Sequence, residues 1–167
     1  MADVQSANGW TKTDLGNGWT KITEVCPVFG TGTGDAMRTT PITNSTANAV
    51  SGGPSMALLN ELKAAGNFVI EVVIGAGSSF DGDTYLEAAD SAGAYHTWSG
   101  KLIDGQTPST TKIVAWNDAI TANGLKVLVD KQDGAAANPC TVNIVYYNGG
   151  PTMSDMTISG AIGADPS

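Results

Sequence analysis

The chain has 167 residues, enough for one domain that buries roughly 70% of its unfolded surface without disulfide staples. Charged residues make up 14%, with 16 Asp and Glu against eight Lys and Arg and a net charge of −8. No two basic residues are adjacent, which argues against a nucleic-acid phosphate site and against anionic membranes. The 21 glycines follow no fixed period and 41% of residues are hydrophobic, a strand- and turn-rich composition that is neither disordered nor collagen-like.

The start, Met1-Ala2-Asp3-Val4-Gln5, lacks the basic and apolar regions of a signal peptide, so the protein is expected to be made and used without export unless a leader has been removed. The next segment echoes itself: Asn8-Gly9-Trp10-Thr11-Lys12-Thr13 returns as Asn17-Gly18-Trp19-Thr20-Lys21-Ile22. Two copies do not make a solenoid. They fit a hairpin, with strands over Trp10 to Leu15 and Trp19 to Val25 and a turn at Gly16-Asn17-Gly18, where Asn-Gly supplies positive φ. In the second strand Lys21, Thr23 and Val25 alternate with Thr20, Ile22 and Glu24, and Pro27 ends the pairing.

Within this hairpin, Asp14-Leu15-Gly16-Asn17-Gly18-Trp19-Thr20-Lys21-Ile22-Thr23 resembles the LGNGW-x-[RK]-[IV] strand entry of many jelly-roll domains, among them phage tail-fibre and carbohydrate-binding modules. The resemblance implies a β-sandwich of two sheets.

Residues 30–53 are low in hydrophobicity and rich in Gly, Thr, Asn and Ser, and read as a long polar surface loop, a candidate contact arm. Gly30-Thr31-Gly32-Thr33-Gly34 lacks the Gly-Lys-Ser/Thr ending of a phosphate loop, and Asp35 and Met37 break the dinucleotide spacing. Asn44-Ser45-Thr46 matches a glycosylation acceptor by accident of sequence. One short helix is predicted near residues 55–65, after Pro54 and before Gly66, with Leu58, Leu59, Leu62 and Ala65 as its apolar stripe. It leads into Phe68-Val69-Ile70-Glu71-Val72-Val73-Ile74, the longest apolar run and the strand around which the chain is organised. Phe68, Ile70, Val72 and Ile74 share one face and Val69, Glu71 and Val73 the other. Because both faces are mostly apolar, the expectation is a strand in the middle of a sheet covered on both sides.

Beyond it, Asp81 and Asp83 are candidate ligands for a calcium ion, set against a plain Asp-Gly-Asp turn. Thr84 to Ala89 and Ala94 to Ser99 form a hairpin around Asp90-Ser91-Ala92-Gly93. Lys101 to Ser109 is a turn-rich link. Lys112 to Trp116, Leu125 to Asp130, Cys140 to Tyr147 and Met156 to Gly160 complete eight or nine strands at short spacing, the pattern of a sandwich or barrel. In the strand from Cys140, Val142, Ile144 and Tyr146 point inward, and Thr141 and Asn143 outward.

Chemistry is sparse. The only histidine, His96, has no Gly-x-Ser-x-Gly elbow beside it, and one histidine with two distant cysteines makes no zinc motif. No Glu-x-Asp-x-Glu strand offers paired glycosidase carboxylates. Glu71 is the one acid inside a strongly apolar strand, where burial would raise its pKa and an outward, hydrogen-bonded position would not. Cys26 and Cys140 read as buried free thiols, with a single bridge between them left open. Catalytic, cofactor-binding and metal sites are therefore expected to be none.

The sequence accordingly predicts one all-β domain over 1–167. It is an antiparallel β-sandwich of jelly-roll type with one short helix, an N-terminal hairpin and arm over 1–29, and the polar loop 30–53. The expected function is that of a non-enzymatic structural protein of a virion, most of all a capsid decoration protein docking on the particle exterior. Its partners are a capsid or other virion protein and a small symmetric oligomer of itself, with no nucleic acid and no membrane. The composition resembles that of small phage virion proteins. The alternative is a carbohydrate-binding module in which Trp10, Trp19, Trp98 and Trp116 stack on sugar rings. Exposure of three of them on one face favours sugar binding, and burial favours the structural role.

Overall fold

A computed structural model describes residues 3–27, 36–44, 50–51, 57–74, 81–99, 102–104, 109–116, 123–133 and 140–149. In chain order these form β1 (Asp3–Gln5), β2 (Trp10–Gly16), β3 (Trp19–Val25), β4 (Ala36–Arg38), β5 (Val50–Ser51), α1 (Leu58–Ala65), β6 (Asn67–Ile74), β7 (Asp81–Ala89), β8 (Tyr95–Thr97), β9 (Ile103–Asp104), β10 (Ser109–Ala115), β11 (Leu125–Asp133) and β12 (Cys140–Tyr147).

The strands make two sheets. The first runs β1-β4-β11-β7-β8, with β9 also on β7, and the second runs β10-β6-β12-β3-β2-β5. The chain crosses from one sheet to the other at β1 to β2, β3 to β4, β4 to β5, β6 to β7, β9 to β10, β10 to β11 and β11 to β12. The result is β10-β6-β12-β3 facing β4-β11-β7-β8, all antiparallel. That is the eight-strand double-sheet order of a jelly roll. The short parallel strands β1 and β5 are added at the edges.

The core follows from strand alternation. In β12, Cys140, Val142, Ile144 and Tyr146 are buried while the residues between them are half-exposed. Phe68, Ile70 and Val72 of β6 face the same way, and Leu86, Val127 and Val129 meet them from the first sheet. Helix α1 buries Leu58, Leu59 and Leu62 in this core. Its end is fixed by Gly66 at φ 80, whose N–H donates to the Leu62 carbonyl. Glu61 anchors the helix from the inward side of the second sheet, accepting from Lys12 Nζ at 2.9 Å and from the Tyr146 hydroxyl at 2.7 Å.

The structure corrects several expectations. β6 is an interior strand, but its second face is bare: Val69, Glu71 and Val73 are half-exposed, and no described element lies over them. The single helix caps the inward side instead. The segment 30–53 is not wholly a surface loop, since Ala36 and Met37 of β4 and the bridging Ile42 are buried in the first sheet. Three consecutive strand residues are too few to show a period among polar neighbours. The N-terminal arm is not free either: β1 pairs with β4, and Ser6 beyond it is buried. Asp81-Gly82-Asp83 opens β7 instead of forming a turn, and the link over 101–109 contains β9. The strand expected at Met156 to Gly160, the Gly30 to Gly34 run and the loop 75–80 lie outside the described residues.

Candidate functional site

The outer face of the second sheet is built from the residues that alternate with its core. On β3, Thr20, Ile22 and Glu24 point inward, so Trp19, Lys21, Thr23 and Val25 point outward. On β12 the outward set is Thr141, Asn143, Val145 and Tyr147, and on β6 it is Val69, Glu71 and Val73. The register places these side chains in rows across the strands. One row holds Trp19 and Tyr147, the next Lys21, Val145, Val69 and Ile113, and the next Thr23, Asn143 and Glu71.

The first row is an aromatic pair. Trp19 is 45% exposed and its ring meets that of Tyr147 edge to face, with centroids 5.3 Å apart. The tyrosine ring is seated between two glycines. A Cβ at Gly18 would stand 2.5 Å from Tyr147 Cε1, and one at Gly149 would stand 2.3 Å from its hydroxyl oxygen. Gly18 also sits at φ 87, after Asn17 at φ 55, so the tight turn and the tyrosine seat make the same demand of one residue. The Asn148 N–H donates to the Gly18 carbonyl at 2.6 Å and ties the end of β12 to that turn.

The third row is a polar ladder. The Thr23 hydroxyl donates to Asn143 Oδ1 at 2.6 Å, and Asn143 Nδ2 donates to Glu71 Oε1 at 2.9 Å. These contacts use two of the four hydrogen-bonding positions of the Asn143 amide. Between ladder and aromatic pair lies an aliphatic floor of Val145 and Val69. Asn143 and Tyr147 are four residues apart on one strand, about 14 Å. The face thus offers a ring platform, an apolar floor and directional polar groups along one line. Three of the four large hydrophobic side chains that are exposed among the described residues, Trp19, Val25 and Ile113, lie on it.

The other sequence candidates fall elsewhere. Trp10 is 1% exposed, with its indole N–H donating to the Thr40 carbonyl at 2.9 Å, so it is core and not a platform. Trp98 and Trp116 form a second edge-to-face pair, both half-buried, with centroids 5.8 Å apart, and Trp98 lines a cleft of about 180 Å³ with Leu86, Ser99, Val114 and Ala115. The tryptophans therefore divide three ways: one buried, two half-buried, one on an open face.

His96 is exposed and meets Asp90 at 2.8 Å; this hydrogen bond, with the Ala94 N–H, holds the Asp90 carboxyl below its ordinary range. Asp83 is buried in β7, where the Tyr85 hydroxyl donates to it at 3.5 Å. The Asp81 side chain lies outside the described residues. Among the described residues no group of three metal-ligating side chains occurs, and no helix is long and apolar enough to cross a membrane.

The outer face of the first sheet has a different character. Arg38 donates to both oxygens of Glu87, at 2.8 and 3.3 Å, and the Lys126 ammonium lies 4.0 Å from the centre of the Tyr95 ring. Burial holds Lys126 below its ordinary pKa and Tyr95 above its own, the latter helped by Glu87. These are charges matched within the face. Sequence reasoning listed Trp19 and Glu71 but missed Tyr147, Asn143 and Thr23. The alternation of β12 already put Asn143 and Tyr147 outward; what it could not supply was the register against β3.

No family model and no curated protein sequence matches the chain. Among solved structures it is similar to the CBM22-1 xylan-binding domain of Paenibacillus barcinonensis Xyn10C, at 11% identity over 86% of this chain and 88% of that one, with a TM-score of 0.40. A second similar structure is the Family 16 Carbohydrate Binding Module-2, at 10% identity over 76% and 67% of the two chains, with a TM-score of 0.25. Likenesses this distant carry neither ligand nor residue role across.

Proposed function

We propose that the chain is a non-enzymatic carbohydrate-binding module that lays a neutral glycan across the outer face of its second sheet. The observation that supports this reading is the Trp19–Tyr147 pair, aligned with the Thr23–Asn143–Glu71 ladder on a sheet face that no described element covers. Sugars present C–H faces that stack on aromatic rings and hydroxyls that need directional partners, and the face supplies both. The net charge of −8 disfavours polyanionic glycans, so the class is neutral.

The test is co-sedimentation with insoluble cellulose, xylan and chitin, together with affinity electrophoresis in soluble xylan, mixed-linkage glucan and mannan. Binding to at least one is expected. Trp19→Ala should weaken it roughly 30-fold or more, from lost stacking and lost apolar contact. A folded protein that ignores the whole panel contradicts the reading.

A second reading is favoured by Val25 and Ile113, exposed at 63% and 70% on the same face. A protein partner would cover such a patch, as docking of a decoration protein on a virion lattice would. Its mark is binding to phage capsids that Ile113→Asp and Val25→Asp abolish, with no retention by any glycan.

A further inference from the structure

Cys26 and Cys140 face each other across the joint between β3 and β12. Val25 pairs with Thr141, and one residue on the Cys26 N–H donates to the Cys140 carbonyl at 2.9 Å. Directly opposed residues of this hydrogen-bonded kind have Cα atoms about 5.5 Å apart, within the usual span of a disulfide. Both side chains belong to the same core, at 4% and 1% exposure, and both are free thiols. The neighbouring Cys140 thiol, together with burial, pushes the Cys26 thiol far up. Cys26 Sγ also donates to the Glu24 carbonyl at 3.7 Å.

We propose that Cys26 and Cys140 are a built-in cross-strand redox pair that closes to a disulfide and staples the end of β3 to the start of β12. In the step, the thiolate of one cysteine attacks a disulfide of low-molecular-weight or oxidoreductase type and forms a mixed disulfide. The second cysteine's thiolate then displaces the partner's sulfur. Two thiols become one disulfide, their two protons pass to the two leaving sulfurs, and the attacked disulfide is reduced to two thiols. Burial keeps both sulfurs from reacting in the closed fold, and the raised pKa of Cys26 adds to this, so the bond forms during folding or local opening. It ties positions more than a hundred residues apart, where loop closure constrains the unfolded chain most. This inference is independent of the sugar-binding reading, since both sulfurs lie on the inward side of the sheet.

The test compares the full chain refolded in a reduced–oxidised glutathione buffer with the chain kept in dithiothreitol. The oxidised sample, denatured and treated with iodoacetamide, is expected to take up no label and to weigh two hydrogens less. Its digest should contain one linked peptide pair holding Cys26 and Cys140. It should melt roughly 10 °C above the reduced sample, and Cys140→Ala should abolish that difference without changing the reduced melting point by a comparable amount. Two labelled cysteines, stable glutathione adducts, a disulfide-linked dimer, or an oxidised form that melts no higher than the reduced one would each overturn the proposal.

Discussion

Thr40 donates twice to one buried carboxylate: its N–H reaches Glu24 Oε1 at 2.8 Å and its hydroxyl reaches Glu24 Oε2 at 2.6 Å. Glu24 belongs to β3 in the second sheet, and Thr40 follows β4 in the first. Ser6 Oγ at 2.5 Å and the Gly9 N–H at 3.0 Å complete the shell around Oε2. A carboxylate with no solvent exposure is tolerable only with such a set of donors. Glu24 thereby fastens the N-terminal arm to both sheets.

Glu24→Ala should therefore destabilise the fold by about 3–5 kcal/mol, because it removes the acceptor that four donors share and leaves a void. Urea unfolding followed by fluorescence checks this, and a loss under about 1 kcal/mol would contradict the role given to Glu24, since surface changes fall in that range. Removing residues 1–9 should cost stability in the same direction, because β1 and Ser6 go with it.

Val72 lies in β6 with no exposure, and Val142 is its partner in register. Val72→Asp places an unpaired carboxylate in the core and should unfold the domain at 25 °C, at a cost of several kcal/mol. Near-UV circular dichroism reads the outcome. A folded variant would mean that β6 is not interior.

Gly18 is required twice, for its φ of 87 and for the space that Tyr147 fills. Gly18→Ala should cost about 1–2 kcal/mol of stability from left-handed strain alone. It should also displace the Tyr147 ring and weaken glycan binding. A Gly16→Ala control shares a positive φ but meets nothing within 4 Å. If both variants bind alike, the tyrosine seat is unimportant to the site.

The Tyr146 phenol is held far above its ordinary value of 10.0, first by burial and then by its hydrogen bond to Glu61. The folded state therefore keeps its proton where the unfolded chain would lose it. The stabilisation is complete below pH 10 and declines as pH rises beyond it, by at most about 1.4 kcal/mol per pH unit for this group. Tyr95 and Cys26, also raised, act in the same direction. Tyr146→Phe should flatten, without abolishing, the fall of melting temperature above pH 10. An unchanged slope would show that Tyr146 titrates normally.

Much of the fold was legible because local and global signals agree. β12 could be read to the residue, since Cys140 to Tyr147 alternates without a break, and Asn17-Gly18 announced its turn. β4 was hidden because a three-residue strand between polar stretches has no period. Glu24 illustrates a conflict: alternation grouped it with buried Ile22, while its charge suggested solvent, and only the donors from Ser6, Gly9 and Thr40 resolve this. The site was half legible. Trp19 stood out as a large aromatic beside a turn, whereas its pairing with Tyr147 is a matter of register between distant strands. Val69 and Val73 suggested a covering layer on β6, and the absence of such a layer among the described elements is what turned an architectural expectation into a candidate surface.

The most direct test of the sugar-binding account is a ¹H–¹⁵N NMR titration of the full chain with soluble neutral oligosaccharides of xylan, glucan and mannan. Shifts are expected at the Trp19 indole and at the amides of Lys21, Thr23, Asn143, Val145 and Tyr147, and nowhere on the first sheet. Shifts confined to the Trp98–Trp116 pair or to the Arg38–Glu87 face, or none with any sugar, would contradict it.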